Sequence, residues 1–145
     1  MVIDALIGIM LAQANVREAV RVLDGDTVIV QGRKIRLACI DAPEMRQNRG
    51  AFAKQGLESL LGGQIPQVQP LGIDFFGRRI AMLTLNNQNI NVQMVRQGYA
   101  FAYPQYLSNC EQRVKIEIIN AEQEAKRAKR GVWADSPTAF PWIFR

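Results

Sequence analysis

Four carboxylates in the first third of the sequence are well suited to bind a metal ion. Asp24 and Asp26 are separated by one glycine, and Asp41 and Glu44 are separated by an Ala-Pro pair. Carboxylates that converge repel one another unless a cation lies among them, and such hard oxygen ligands favour Ca²⁺ or Mg²⁺ over zinc or copper. Each pair alone is typical of an ordinary turn, so a metal site requires that the chain bring the two pairs together.

Two arginines strengthen this interpretation. Arg36 lies inside the apolar segment 35–40, and a charged side chain within a strand usually lies at a rim or pairs with an anion. Arg78 follows Gly77, which lets the backbone turn sharply and aim the arginine. Two guanidinium groups and one divalent cation around a phosphate balance the charge that develops during phosphoryl transfer. The arginines and carboxylates together therefore indicate phosphoryl-transfer chemistry.

The absence of histidine narrows the chemistry further. The 145-residue chain contains none, which excludes catalytic triads with a histidine base, ribonucleases with a histidine pair and histidine-ligated metallonucleases. Cys39 and Cys110 lie far apart and cannot by themselves form a four-ligand zinc site. Whether they form a disulfide stays open, because this would require export to an oxidising compartment. Catalysis must therefore use carboxylates, arginine, lysine, tyrosine or an oxygen-bound metal.

The composition indicates one basic domain. Eighteen Lys and Arg against thirteen Asp and Glu give a formal charge of +5, so a polyanion is a more natural partner than a polycation. The chain length suits a single domain, which we place at residues 15–135, and the tail at 136–145 is too short to form another. The sequence implies no stable protein partner, and we expect a monomer.

The N-terminal segment 1–14 has two interpretations. Residues 2–11 are nearly all apolar but too few to span a bilayer, and Ala12-Gln13-Ala14 has the small-x-small form of a signal-peptidase site. An aspartate interrupts the apolar run, and no basic region precedes it. We favour the remnant of a signal peptide, and hence a secreted or periplasmic protein. The alternative is a cytoplasmic protein with an apolar N-terminal segment, and neither interpretation includes a membrane span.

The spacing of apolar residues predicts strands in the first part of the chain and helices later. The predicted elements, in chain order, are strands within 17–40 with turns at Asp24-Gly25 and Gly32, a helix at 53–61, strands at 65–71 and 80–85, a helix capped by Asn91, and a helix that begins with a capping box at Ser108. This order predicts an α+β fold in which a five-stranded OB-like antiparallel β-barrel carries about three α-helices on its outside.

The register of the first hairpin decides whether the carboxylates meet. A tight turn at Gly32 would place Asp26 opposite a residue in the range 37–39. Asp26 and Asp41 should then lie at the same end of the hairpin. Because side chains alternate along a strand, Arg36 should point to the face that Asp26 shares.

Five successive motifs resemble those of the staphylococcal (micrococcal) nuclease family, also called the thermonuclease family. They are, in the family's order, Val22-Leu23-Asp24-Gly25-Asp26-Thr27, Arg36-Leu37-Ala38-Cys39-Ile40-Asp41-Ala42-Pro43-Glu44, Phe76-Gly77-Arg78, Val95-Arg96-Gln97-Gly98-Tyr99-Ala100 and Gly131-Val132-Trp133. The resemblance covers about residues 16–133, and the combination is highly specific although each motif alone is not.

The resemblance implies a Ca²⁺-dependent nuclease that cleaves phosphodiester bonds in DNA or RNA and leaves 3′-phosphate ends. The implied Ca²⁺ ligands are Asp26, Asp41 and the backbone carbonyl of Ala42. Arg36 and Arg78 match the arginines that grip the scissile phosphate. Glu44 matches the carboxylate that orients or deprotonates the attacking water, and its rival Asp24 is assigned to its turn.

Two further points concern the substrate and an alternative function. Tyr103 and Tyr106 lie in the variable stretch where the family places rings that stack on bases. The alternative is a non-catalytic OB-type module that binds nucleic acid or protein. A module that had lost catalysis would be expected to lack at least one of the five charged site residues, and the presence of all five favours the nuclease.

Overall fold

The computed structural model describes residues 19–145 together with Ile7 and Gly8. The rest of segment 1–14 lies outside the described residues. The interpretation of that segment as the remnant of a signal peptide therefore stays a prediction. Within the described part of the chain, no helix is both long enough and apolar enough to cross a membrane.

The described residues form an α+β fold. Its strands are β1 (Val20–Asp24), β2 (Thr27–Val30), β3 (Arg33–Leu37), β4 (Ile40–Asp41), β5 (Gln67–Ile73), β6 (Arg79–Leu85), β7 (Gln88–Asn89) and β8 (Phe101–Ala102). The helices with described bounds are α1 (Gly50–Leu61), α2 (Ile90–Arg96), α3 (Gln112–Ala128) and α4 (Pro141–Phe144), and the 3₁₀ helices are Leu107–Asn109 and Gly131–Ala134.

One mixed sheet dominates the fold. Its strand order is β1, β2, β3, β6, β5, and β7 extends it by pairing with β6. β3 and β6 run parallel, whereas the other neighbours run antiparallel. β4 and β8 form a separate antiparallel pair. The predicted α+β class is confirmed, but the prediction of a closed, five-stranded antiparallel barrel is wrong for the described residues, because β1 and β5 lie at open edges of the sheet.

The connection between β3 and β6 explains the parallel pair. Parallel neighbours need a long crossover, which usually contains a helix, and the chain between these strands contains β4, α1 and β5. β5 and β6 form an antiparallel hairpin, so the second arm of that hairpin enters the sheet in the same direction as β3.

Two hairpins of this sheet, β2–β3 and β6–β7, are closed by two-residue loops. Gln31 and Gly32 join β2 to β3 with φ of 49° and 79°, and Asn86 and Asn87 join β6 to β7 with φ of 51° and 63°. Two consecutive residues with positive φ are typical of the tight turns whose twist matches that of paired strands. The turn predicted at Gly32 is therefore confirmed.

The helix starts were harder to predict than the helices themselves. α1 confirms the predicted helix, and Gly62 ends it with φ of 56°. The prediction that Asn91 caps α2 is wrong, because the side chain of Asn89 accepts the capping hydrogen bond. The predicted capping box at Ser108 is also wrong. Ser108 lies in a 3₁₀ helix, and α3 begins at Gln112 without a side-chain cap.

Asn91 has a structural role inside the core instead. It is fully buried, its Oδ1 accepts a hydrogen bond from the Leu83 amide at 3.1 Å, and its Nδ2 donates to the carbonyl oxygens of Ala38 and Ala81 at 3.0 and 3.1 Å. Because an unpaired buried amide would be costly, these bonds fix α2 against β6 and against the chain where it leaves β3.

The hydrophobic core lies between the sheet and helices α1, α2 and α3. Its fully buried members include Val28, Leu37, Ile40, Leu57, Leu83, Met94 and Ile118. α3 contributes the buried residues Ile118, Ala121 and Ala125. This core holds the ends of β2 and β3, which carry the predicted site residues.

Candidate active site at the end of the first hairpin

The β2–β3 hairpin brings Asp26 and Asp41 together as its register predicts. Thr27 pairs with Arg36, and the Leu37 amide donates a hydrogen bond to the backbone oxygen of Asp26 at 2.8 Å. The Ala42 amide donates to Asp26 Oδ2 at 2.8 Å, which draws the next segment of chain alongside. Both carboxylates are buried, so the predicted convergence at one end of the hairpin is confirmed.

Arg36 lies between these two carboxylates. Its Nη2 is 3.4 Å from Asp26 Oδ2 and 3.2 Å from Asp41 Oδ1, and its Nη1 donates to the backbone oxygen of Leu37. The predicted shared face of Arg36 and Asp26 is therefore confirmed. Arg36 provides one positive charge for two buried carboxylates, so Asp41 needs a second counter-charge.

Burial and charge shift the carboxyl pKa values in opposite directions. Burial alone would raise the pKa of Asp26, but the charge of Arg36 and the hydrogen bond from the Ala42 amide outweigh it and lower that pKa. Burial raises the pKa of Asp41 to about 6, with repulsion from Asp26 adding to the rise and the nearby guanidinium groups opposing it. Asp26 is thus the more firmly ionised of the two.

Asp24 closes the turn to which the sequence assigns it. Its Oδ1 accepts a hydrogen bond from the Asp26 amide at 3.0 Å, as an Asp in such a turn commonly does. Burial, followed by repulsion from Asp26, raises the pKa of Asp24 to about 6. Asp24 therefore adds negative charge next to the carboxylate pair as the pH rises.

Glu44 lies at the edge of this cluster. The Glu44 amide donates to Gln47 Oε1 at 2.9 Å, and the Gln47 amide donates back to the Glu44 carbonyl at 2.8 Å. These bonds fix the backbone just after Pro43, while the Glu44 side chain stays 35% exposed. It lines an open cleft whose other walls are Asp24, Met45, Arg46, Phe144 and Arg145. A side chain in this position can meet water and substrate.

Arg145 completes the cluster and is not among the site residues predicted from the sequence. Its Nη2 and Nη1 donate to the two oxygens of Asp41 at 2.7 and 2.9 Å, and its Nε donates to Glu44 Oε1 at 2.6 Å. Arg145 is 104 residues from Asp41 along the chain and belongs to no recognisable motif. No sequence pattern could have pointed to it.

Arg78 lies apart from the carboxylates. Its Nε is 2.6 Å from Asp74 Oδ2, and its guanidinium lies over the Phe76 ring at 5.4 Å. Among the described residues, its contacts include none to Asp26, Asp41 or Glu44. Arg78 directly precedes β6, the strand in which Ile80 pairs with Arg36, and it lines a cleft with Lys34 of β3.

The tyrosines have mixed surroundings. Tyr99 packs on Phe52, with ring centroids 5.0 Å apart, and is a core residue. Tyr103 stacks on Trp142 at 6.1 Å and meets Tyr106 edge-on at 4.8 Å. Tyr106 is 46% exposed. Of the two predicted base-stacking residues, Tyr106 therefore offers the freer ring, and Tyr103 is partly covered by the C-terminal segment.

Cys39 and Cys110 form a disulfide, which answers the question that the sequence left open. The bridge joins the chain just after β3 to the segment just before α3. The Tyr103 amide also donates to the carbonyl oxygen of Cys39 at 3.0 Å. The segment that carries Tyr103 and Tyr106 is thus tied to the chain between Arg36 and Asp41.

The donor set fits a hard divalent cation. All of its side-chain donors are oxygens, two of the carboxylates are buried, and the positively charged Arg145 lies between Asp41 and Glu44 where a cation would be stabilised. In the described residues, no three carboxylate, cysteine or histidine side chains are grouped tightly enough to hold a metal ion as they stand. A cation here would therefore be held by two carboxylates together with backbone or water oxygens.

The protein thus has an α+β fold with an acidic site that is flanked by arginines. Such a site suits a cation and a phosphate. Residues 34–135 match the family described as staphylococcal nuclease homologue. An uncharacterized endonuclease of Escherichia coli O157:H7 is 37% identical over 131 residues, which cover 87% of this chain and 82% of that protein. The micrococcal nuclease of Shigella flexneri is 36% identical over 141 residues, which cover 88% and 79%. This chain belongs to the staphylococcal nuclease family.

The family extends to plants. A probable staphylococcal-like nuclease of Oryza sativa subsp. japonica is 33% identical over 120 residues, which cover 83% of this chain and 30% of the larger plant protein.

Proposed function

We propose that this protein is a Ca²⁺-dependent nuclease that hydrolyses phosphodiester bonds in DNA or RNA and leaves 3′-phosphate ends. Its family and the names of its relatives support nuclease activity. The observation that carries the proposal is the pair of buried carboxylates, Asp26 and Asp41, which meet at the guanidinium of Arg36, while Asp41 takes a second counter-charge from Arg145. With Arg145 displaced, this pair has an excess of negative charge that a divalent cation would balance.

A bound Ca²⁺ would neutralise phosphate charge and polarise the bond to be cut. Asp26, Asp41 and the backbone carbonyl of Ala42 would hold it. Such a ligand set, completed by water, suits the flexible coordination of Ca²⁺ better than the strict octahedron of Mg²⁺. We therefore expect Mg²⁺ to bind and to support little cleavage.

The arginines would bind the phosphate. Arg36 already has its guanidinium at the carboxylate pair, so a phosphate that bridges to the cation would also meet this fork. Arg78, which precedes the strand paired with β3, would bind the same phosphate after it leaves Asp74. Two guanidinium forks would offset the charge that develops on the phosphoryl oxygens in the transition state.

Glu44 would orient or deprotonate the attacking water. Its backbone is fixed by Gln47, while its side chain faces the open cleft beside Asp41. The proton would pass from the water to a Glu44 carboxylate oxygen, since the chain contains no histidine. Tyr106, and Tyr103 beside it, would stack on bases of the substrate.

Location and assembly are part of the same proposal. The disulfide between Cys39 and Cys110 is of the kind that persists in oxidising compartments. It supports a secreted or periplasmic protein over the cytoplasmic alternative. We propose a monomer without a stable protein partner.

The proposal is tested by incubating the purified protein with plasmid DNA and with single-stranded RNA. Cleavage is expected with millimolar Ca²⁺ and is expected to be lost in excess chelator. Fragment ends should resist extension by a polymerase until a phosphatase removes the 3′-phosphate. Full activity in chelator would overturn the metal model, and tight nucleic-acid binding without any cleavage would support the non-catalytic module instead.

A further inference from the structure

Arg145 occupies both oxygens of the Asp41 carboxylate. Nη1 and Nη2 bind its two oxygens at 2.9 and 2.7 Å, in the two-point geometry that gives the strongest arginine–carboxylate pairs. The Nε proton goes to Glu44 at 2.6 Å. Asp41 is fully buried, so little solvent competes for these oxygens.

A cation and Arg145 cannot occupy this place together. A metal ion held by Asp41 needs at least one of the two oxygens that the guanidinium now binds. The guanidinium also bridges from Asp41 to Glu44, across the position where the attacking water would lie. We propose that Arg145 is an intramolecular competitor of Ca²⁺ that must swing out before the ion and the substrate can bind. The inference rests on the Ca²⁺ part of the proposed function.

The segment that carries Arg145, residues 136–145, is packed on the domain. We call this segment the C-terminal strap. Phe140 contacts the buried Phe101 ring at 5.0 Å, and Trp142 stacks on Phe140 at 5.0 Å. The Gln47 amide group donates to the backbone oxygen of Phe140 at 3.3 Å. These contacts keep the strap docked beside Asp41 and raise the effective concentration of Arg145 there.

The end of the strap can release Arg145 without unpacking. Ile143 is 75% exposed and Phe144 is 48% exposed, so few core contacts oppose a rotation of the last turn. The Arg145 side chain is itself 41% exposed. Because Ca²⁺ would supply the counter-charge that the buried Asp41 now takes from Arg145, the ion can compete with the guanidinium. The strap thus sets the Ca²⁺ concentration at which the site becomes competent.

The test measures Ca²⁺ affinity of the full chain by titration calorimetry, without substrate. Because a site that is open for only a fraction of the time binds more weakly by that fraction, Arg145→Gln is expected to bind Ca²⁺ about 10-fold more tightly than the unchanged protein. Arg145→Lys keeps the charge but not the fork and should fall between them. Arg113→Gln removes the same charge from an exposed position on α3 and should change the affinity less than about 2-fold.

Thermal melts supply a second readout. In chelator, Arg145→Gln should melt at a lower temperature than the unchanged protein, because Asp41 loses its counter-charge. Saturating Ca²⁺ should remove most of that difference. A Ca²⁺ affinity that is unchanged or weaker in Arg145→Gln would overturn the inference, since Arg145 would then be neutral or helpful to the ion.

The experiment separates this inference from the proposed function. Tighter Ca²⁺ binding by Arg145→Gln, combined with no nuclease activity in either protein, would support the competitor and overturn the nuclease. Failure of both proteins to bind Ca²⁺ would overturn the competitor and the Ca²⁺ part of the function together. Nuclease activity with equal Ca²⁺ affinities would leave the function standing and overturn the competitor alone.

Discussion

The two arginines proposed to bind phosphate lie in contrasting regions. The Arg36 side chain is 11% exposed and contacts two buried carboxylates that the core holds in place. Arg78 is 28% exposed and pairs with Asp74, four residues away, at the tip of the β5–β6 hairpin. Next to it, the Phe75 and Phe76 rings lie almost wholly in solvent. One arginine is therefore part of a preorganised cluster, and the other belongs to an exposed tip that can adapt to a substrate.

Replacing each arginine by lysine should give the largest effect and separates the two regions. Both Arg36→Lys and Arg78→Lys should lower kcat by about 100-fold or more, because lysine lacks the bidentate fork, which corresponds to about 3 kcal/mol. Only Arg36→Lys should also lower the melting temperature, since it alone disturbs a buried charge cluster. Single-turnover cleavage and thermal melts measure the two effects.

A matched control for the lysine variants lies on the same strand as Arg36. Arg33 is exposed at the start of β3, so Arg33→Lys should retain normal cleavage and stability. If Arg36→Lys and Arg78→Lys both cut at the normal rate, the two arginines are structural and the proposed site is misplaced.

A second comparison uses Glu44, which binds Arg145 in the carboxylate cluster, and Asp74, which binds Arg78 at the hairpin tip. Glu44→Gln keeps the shape of the side chain but removes its charge, and should lower the cleavage rate by about 100-fold, as loss of a positioned base does. Ca²⁺ and nucleotide binding should stay within a few-fold of normal. Asp74→Asn releases Arg78 from an exposed pair and should change the rate only a few-fold. Equal losses in both variants would argue against a special role for Glu44.

The smallest expected effect is the pH dependence that Asp24 gives to the free energy of unfolding. Its pKa is raised to about 6 from an ordinary value of 3.8, first by burial and then by repulsion from Asp26. A raised pKa adds stability below pH 4, and this contribution is lost as the pH rises through 6. In chelator, the share of Asp24 in the free energy of unfolding should therefore fall between pH 4 and pH 7, by about 1 kcal/mol after allowance for its partial exposure.

Asp24→Asn isolates this contribution. The sequence alone predicts a loss of stability, because the side chain closes a turn. At pH 7 we expect no such loss, since the Asn oxygen could still accept the hydrogen bond from the Asp26 amide and the repulsive charge would disappear. Denaturant unfolding at pH 5 and pH 7 measures the difference, and a variant that is clearly less stable at pH 7 would contradict this account.

Short-range patterns were sufficient to predict the core of the site. The turn at Gly32 and the alternation of side chains placed Asp26, Arg36 and Asp41 at one end of one hairpin, and the structure confirms this placement. The distances involved span fewer than twenty residues, so turn geometry and strand periodicity decide them. The first helix was predictable for the same reason, since its apolar spacing and its terminal glycine lie within one local segment.

The sequence by itself thus determined the carboxylate and arginine inventory, the first hairpin and the absence of imidazole chemistry. Only the tertiary structure decided that β3 and β6 run parallel, that Cys39 pairs with Cys110, that Asn91 is buried as a link between elements, and that Arg145 binds Asp41. Each of these depends on segments far apart in the chain, whose approach is set by how the whole core packs. No local periodicity, capping signal or motif records such an approach, because the energy that favours it comes from burial shared among many residues.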